Sequence, residues 1–98
     1  MITFALDLPK LTESQRLQLE EALLKVPKVD ALTNSDGKII VTVGDGEQAL
    51  RDAVAAIYGW ASSFAGLLLQ MKVNCQSQKS MLLGAHSPND VIYFLTSC

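Results

Sequence analysis

An α+β domain, with two or three helices on one face of an antiparallel sheet, is the fold class this sequence predicts. Three observations carry the prediction. ITFALDL at the start and KIIVTV in the middle alternate apolar and polar residues with period two, the signature of a strand with one buried face. Between them, LTESQRLQLEEALLKV spaces its leucines for a helix, and a second helical stripe follows KIIVTV. The chain is 98 residues long and 49% hydrophobic, enough for one packed core and too short for two.

The elements follow in chain order. Ile2, Phe4, Leu6 and Leu8 form the apolar side of the first strand, with Thr3, Ala5 and Asp7 on the other. Pro9 ends it. Thr12 with Gln15 three residues on makes a capping box, which opens a helix over 12–26 that Pro27 stops. In VDALTNSDGKIIVTV the residues Asn34 to Gly37 are turn formers between two apolar runs, so a hairpin is expected. Asp45, with Gln48 three residues later, reads as the cap of a second helix beginning near 46. Its stripe is Leu50, Ala53, Val54, Ile57, Ala61, Phe64, Ala65 and Leu68. One long helix to Met71, or a break at Gly59-Trp60, are the two readings. MKVNCQS and KSMLLGAH read as further strands. VIYFL in HSPNDVIYFLTS also favours a strand, although Ser87-Pro88-x-Asp90 is a helix-start signal.

Composition narrows the function. Charged residues are 18% of the chain, the net charge is -2, and the eight Lys and Arg are scattered. Nucleic acid is therefore not an expected partner, since it selects clustered cations. MITFALDLPK lacks the basic start and apolar run of a signal peptide. Two cysteines, Cys75 and Cys98, are too few for a disulfide framework, and are expected as thiols in a cytoplasmic protein. The abrupt end at Cys98 fits one domain of a larger protein.

Candidate chemistry is sparse. Gly44-Asp45-Gly46 joins a strand to a helix, as phosphate loops do. Yet Asp45 and Glu47 would repel an anion, and G-K-[ST] is absent, so turn and cap geometry is the better reading. His86 is the only histidine, and no C-x-x-C exists; a metal site from Cys75, His86 and Cys98 would lack a fourth ligand. A Cys–His nucleophile pair from the same residues has no orienting third group. No enzyme activity, no cofactor and no metal is expected.

Two surfaces carry more weight. Leu19, Ala22, Leu23 and Val26 make the apolar face of the first helix, while Leu17 and Leu24 stand nearly opposite, beside Glu13, Glu20 and Glu21. Either these two leucines touch the second helix, or they form a ridge for a partner protein. Residues 53–71 hold no charge, and Ala55, Gly59 and Ser63 recur four apart, as do Ser62 and Gly66. A buried or homo-oligomeric helix explains this better than a membrane span.

The order strand, helix, hairpin, helix resembles the ferredoxin-like βαββαβ plan. LLKVPKVDALTNSDGKIIVTVGDGEQALRDAVAAIYG is similar in layout to heavy-metal-associated domains and to the cytoplasmic chaperones that mature periplasmic nitrate reductase. The likeness spans residues 2–60. Metal-binding members carry a C-x-x-C where this chain has LPKLTES, so metal transfer does not carry over. The chaperone likeness implies peptide binding on a sheet face or edge. LTESQRLQLEEALL and AIYGWASSFAGLLLQM also resemble small adaptor domains of bacterial defence and signalling proteins, which implies homotypic association; the strands argue against their all-helical fold.

The expected function is a non-enzymatic interaction or adaptor module that self-associates or binds a protein segment. Leu17, Leu24, Glu20, Trp60 and Ser63 are its expected partner-facing residues. Two alternatives are a membrane-active effector using 53–71 and a small-ligand-binding domain.

Overall fold

In a computed structural model that describes residues 1–64 and 66–98, the alternation of the two apolar strands decides the architecture. The elements are β1 (Ile2–Asp7), α1 (Glu13–Leu24), β2 (Val29–Thr33), β3 (Ile39–Val43), α2 (Glu47–Ala61), β4 (Lys72–Cys75), β5 (Ser80–Leu82) and α3 (Pro88–Ser97). Short 3-10 turns lie at Leu68–Gln70 and Leu83–Ala85. The sheet order is β2-β3-β1-β4-β5, and every pairing is antiparallel. The first four strands are in ferredoxin-like order, and β5 extends the sheet beyond β4.

Phe4 and Leu6 on β1, Ile39, Val41 and Val43 on β3, and Val73 on β4 are sealed beneath the helices. Leu19 and Leu23 of α1, Leu50, Ala53, Val54 and Ile57 of α2, and Val91, Ile92 and Leu95 of α3 complete that core. Thr3, Ala5, Asp7, Ile40 and Thr42 line the other face and are only half-buried.

The local signals mostly act as read. The Thr12 hydroxyl accepts from the Gln15 N–H, and the Gln15 amide oxygen accepts from the Thr12 N–H, both at 3.1 Å. In the hairpin, Asn34 Oδ1 accepts from the N–H groups of Asp36 and Lys38, both at 3.0 Å. Gly37 takes the left-handed φ of 81° that closes the turn.

Four expectations are corrected. Asp45 does not cap α2: Gly46, with φ 113°, holds that position without a side-chain bond. The Asp45 carboxylate instead takes the Met1 ammonium at 2.7 Å, which lowers its pKa. The second helix neither continues to Met71 nor breaks at Gly59. It ends at Ala61, where the bonds Ser63 N–H to Trp60 O and Phe64 N–H to Ala61 O tighten the chain into turns. Ala65, expected on its stripe, lies outside the described residues.

HSPNDVIYFLTS is a helix. Ser87 and Asp90 form a full capping box with Pro88 in the first turn, and Val91, Ile92 and Leu95 then share one buried face. Capping and burial outweigh the strand preference of VIYFL. The two cysteines form a disulfide, with Cα atoms 6.1 Å apart, well within bridging range. It ties the end of β4 to the residue after α3, so the expectation of two thiols is overturned.

The bridge spans 23 residues of sequence, and a loop of that size restricts the unfolded chain by about 3 kcal/mol. Denaturant unfolding with and without reductant should show a loss of that order, and Cys98→Ser should match the reduced protein.

Candidate functional site

The outer side of α1 is the most unusual surface. One face of this helix is spent on the core, with Leu19 and Leu23 fully buried. A helix on a sheet needs no second apolar face. Nevertheless Leu17 is 49% exposed and Leu24 52%. Neither is among the hydrophobic residues packed against the core. The Thr33 hydroxyl donates to the Glu20 carboxylate and clasps α1 to the edge strand β2. Glu13 and Glu21 stand exposed beside the leucines, and Arg16 reaches Glu13 at 3.6 Å. The ridge is therefore apolar along its crest and acidic along its flanks.

The other expected partner residues separate. Trp60 is a core residue, 9% exposed, with its ring 5.2 Å from that of Phe64; its indole N–H meets no acceptor among the described residues. Its burial removes it from the surface set. Ser63 is exposed just past the end of α2, as are Ala55 and Gly59 along that helix. Leu17, Glu20 and Leu24 share the outer side of α1, Trp60 is part of the core, and Ser63 follows the end of α2.

The chemical candidates resolve into structural roles. The Gly44 N–H donates to the Lys28 carbonyl at 2.7 Å, and a Cβ on Gly44 would lie 3.0 Å from that of Lys28. The glycine loop is thus shaped by a close strand contact. Cys75 is engaged with Cys98, and the groove beside His86 is lined by Lys72, Met81, Leu82 and Phe94, without Cys75. No group of three or more metal-ligating side chains converges among the described residues. On the open sheet face, two grooves over Ala5 and Asn74 hold about 180 and 350 Å3, around the lower bound of small-molecule sites. No helix among the described residues is long and apolar enough to cross a membrane.

Tyr58 braces the far side. Its hydroxyl lies 2.9 Å from the Leu83 carbonyl and 3.0 Å from that of His86, donating to this pair. That contact fixes the turn between β5 and α3 against α2. Burial, with a smaller contribution from the Asp90 charge, raises the Tyr58 pKa.

No family model, no curated protein and no solved structure matches this chain.

Adjacent leucines on α1 should therefore behave oppositely. Leu23→Ala should cost about 2–5 kcal/mol, and Leu24→Ala less than about 0.5 kcal/mol, in urea titrations. A raised phenol pKa means that the folded state prefers neutral Tyr58. Its contribution should be intact below pH 10, the ordinary value, and fade as pH rises through the folded pKa. In Tyr58→Phe that alkaline loss should be reduced.

Proposed function

We propose that the chain is a non-enzymatic interaction module that binds a protein segment, or a second copy of itself, through the outer side of α1. The observation that carries this reading is the exposure of Leu17 and Leu24 on a helix whose core face is already complete. Each leucine is only about half exposed, so removing the remainder from water on docking contributes roughly 1 kcal/mol each. Glu20 is already held against Thr33, so little of its own side-chain entropy is lost on binding there.

A non-catalytic role is supported by where the reactive side chains are placed. The cysteines are joined to each other, and His86 is exposed with its carbonyl bound by Tyr58. The ferredoxin-like strand order favours the likeness to heavy-metal-associated domains and nitrate reductase maturation chaperones at the level of layout. Leu8 to Ser14, where metal-binding members have their cysteines, contains no thiol, so we assign the peptide-binding side of that likeness and not the metal side. The five-stranded sheet departs from the all-helical adaptor modules. The disulfide also removes the cysteine argument for a cytoplasmic setting, because such a bond persists in oxidising compartments.

Light scattering on a sizing column, across a range of concentrations, tests self-association directly. A defined oligomer dispersed by Leu17→Glu with Leu24→Glu, while the urea midpoint stays within about 0.5 kcal/mol of wild type, supports the ridge as the contact. An oligomer indifferent to both changes would remove α1 from the interface. A monomer at every concentration leaves a separate protein segment as the occupant.

A further inference from the structure

The two cysteines of the bridge sit in unlike surroundings. Cys75 ends β4 opposite Phe4 of β1, on the core face of the sheet, and is 7% exposed. Cys98 follows α3 and is exposed. A cleft of about 70 Å3 lies against the bridge, lined also by Ile2, Thr3, Gln76 and Leu95. It leaves room for the sulfur end of a small thiol and is far below the size of an ordinary ligand pocket. Thiol–disulfide exchange depends on which sulfur an incoming thiolate can reach and on how well the other sulfur leaves. Exposure selects Cys98 for attack.

The turn after β4 bears on the leaving sulfur. The Gln78 N–H donates to the Cys75 carbonyl at 3.0 Å, and the Cys75 N–H to the Lys79 carbonyl at 2.9 Å. Gln78 takes a left-handed φ of 68°, as the last residue of a three-residue hairpin loop does. This fixed turn places the Ser77 hydroxyl 3.0 Å from Cys75 Sγ. A sulfur in a disulfide carries no proton, so Ser77 is the donor. Disulfide sulfur is a weak acceptor and thiolate a strong one, so the bond strengthens as the bridge opens. Burial disfavours a bare thiolate at Cys75, and the hydroxyl offsets that cost. Of the two sulfurs, only that of Cys75 has such a donor among the described residues.

We infer that Cys98 is the site at which a low-molecular-weight thiol is captured as a mixed disulfide, with Cys75 as the leaving sulfur and Ser77 as its positioning residue. The incoming thiolate forms a bond to Cys98 Sγ while the bond from Cys98 to Cys75 breaks. The electron pair of the broken bond leaves with Cys75 as a thiolate, which the Ser77 hydroxyl holds. In the return step Cys75 attacks Cys98 Sγ, expels the small thiol and restores the bridge. Alternatively a second small thiolate attacks the outer sulfur of the mixed disulfide and releases Cys98 as a thiolate. The two small thiols are then oxidised to their own disulfide and the bridge is reduced by two electrons. Val91, Ile92 and Leu95 keep α3 anchored in the core, so exchange takes place on the folded chain. Neither Leu17 nor Leu24 takes part, and the inference does not depend on the α1 ridge.

The test uses the full chain with its bridge intact and glutathione in excess as the probe. Early samples are quenched with acid, freed thiols are capped with N-ethylmaleimide in denaturant, and trypsin, cutting after Lys79, separates the two cysteines for mass spectrometry. Glutathione should appear on Cys98 and maleimide on Cys75, at least roughly tenfold over the reverse pattern. Ser77→Ala should open about threefold more slowly, and Ser77→Thr, which keeps the hydroxyl, should return to near the wild-type rate. Thermal midpoints of the oxidised variants confirm that both fold. Glutathione on Cys75, or an even split of the kind that prior unfolding gives, would overturn the inference. So would a folded chain that takes up no glutathione while the urea-unfolded chain does, or a Ser77→Ala variant that opens as fast as wild type.

Discussion

Phe4 and Leu6 on β1 stand on the same side of the sheet as Ile39, Val41 and Val43 on β3, and all five are sealed from water. Because side chains alternate along a strand, this forces Thr3, Ala5, Ile40 and Thr42 onto the other side. A sheet with one apolar face can be covered from one direction only, so all three helices lie in a single layer. From that constraint come the two exposed edges, the half-buried open face, and an α1 that packs beside α2 with its outer side left free.

The C-terminal part depends on the same face by a different route. β5 is only three residues long and α3 only ten, and elements of that size hold weakly on local bonds alone. Tyr58, reaching from α2 to the Leu83 and His86 carbonyls, fixes the turn between them. The Cys75–Cys98 bridge closes the far end of α3 onto β4. Gly84 lets this turn press against Leu69, where a Cβ would come within 2.7 Å of backbone. The segment is therefore held by a few long-range contacts rather than by its own propensity, and those contacts shape the groove beside β5.

Such contacts also explain what could be read from the chain and what could not. β1, α1 and the β2–β3 hairpin were legible because their signals are local: alternation, the Thr12–Gln15 box, and the Asn34–Gly37 turn. At α3 two local signals conflicted, and the Ser87–Asp90 cap prevailed once Val91, Ile92 and Leu95 found a core to enter. Asp45 met the usual pattern for a cap, yet Gly46 took the position and Asp45 was drawn to a charge 44 residues away. The disulfide had no spacing signal, since only the folded sheet brings residue 75 next to 98. Of the candidate site, the Leu17–Leu24 ridge was visible in the helical spacing. The burial of Trp60 and the backbone groups that the edge strands leave unpaired follow from tertiary packing and strand register, which no short window contains.

The interaction we propose rests on what a one-faced sheet leaves uncovered, an apolar crest on α1 and outward backbone groups on its edge strands. Residue-resolved amide hydrogen exchange on the free protein tests that account most directly. Ala31, bonded to Asp30, should exchange more slowly than Ser80 and Leu82, which should exchange nearly as fast as an unprotected loop, with Val41 in the sheet centre slowest of all. Protection at Ser80 and Leu82 equal to that of Val41 would show the β5 edge already occupied and contradict the account.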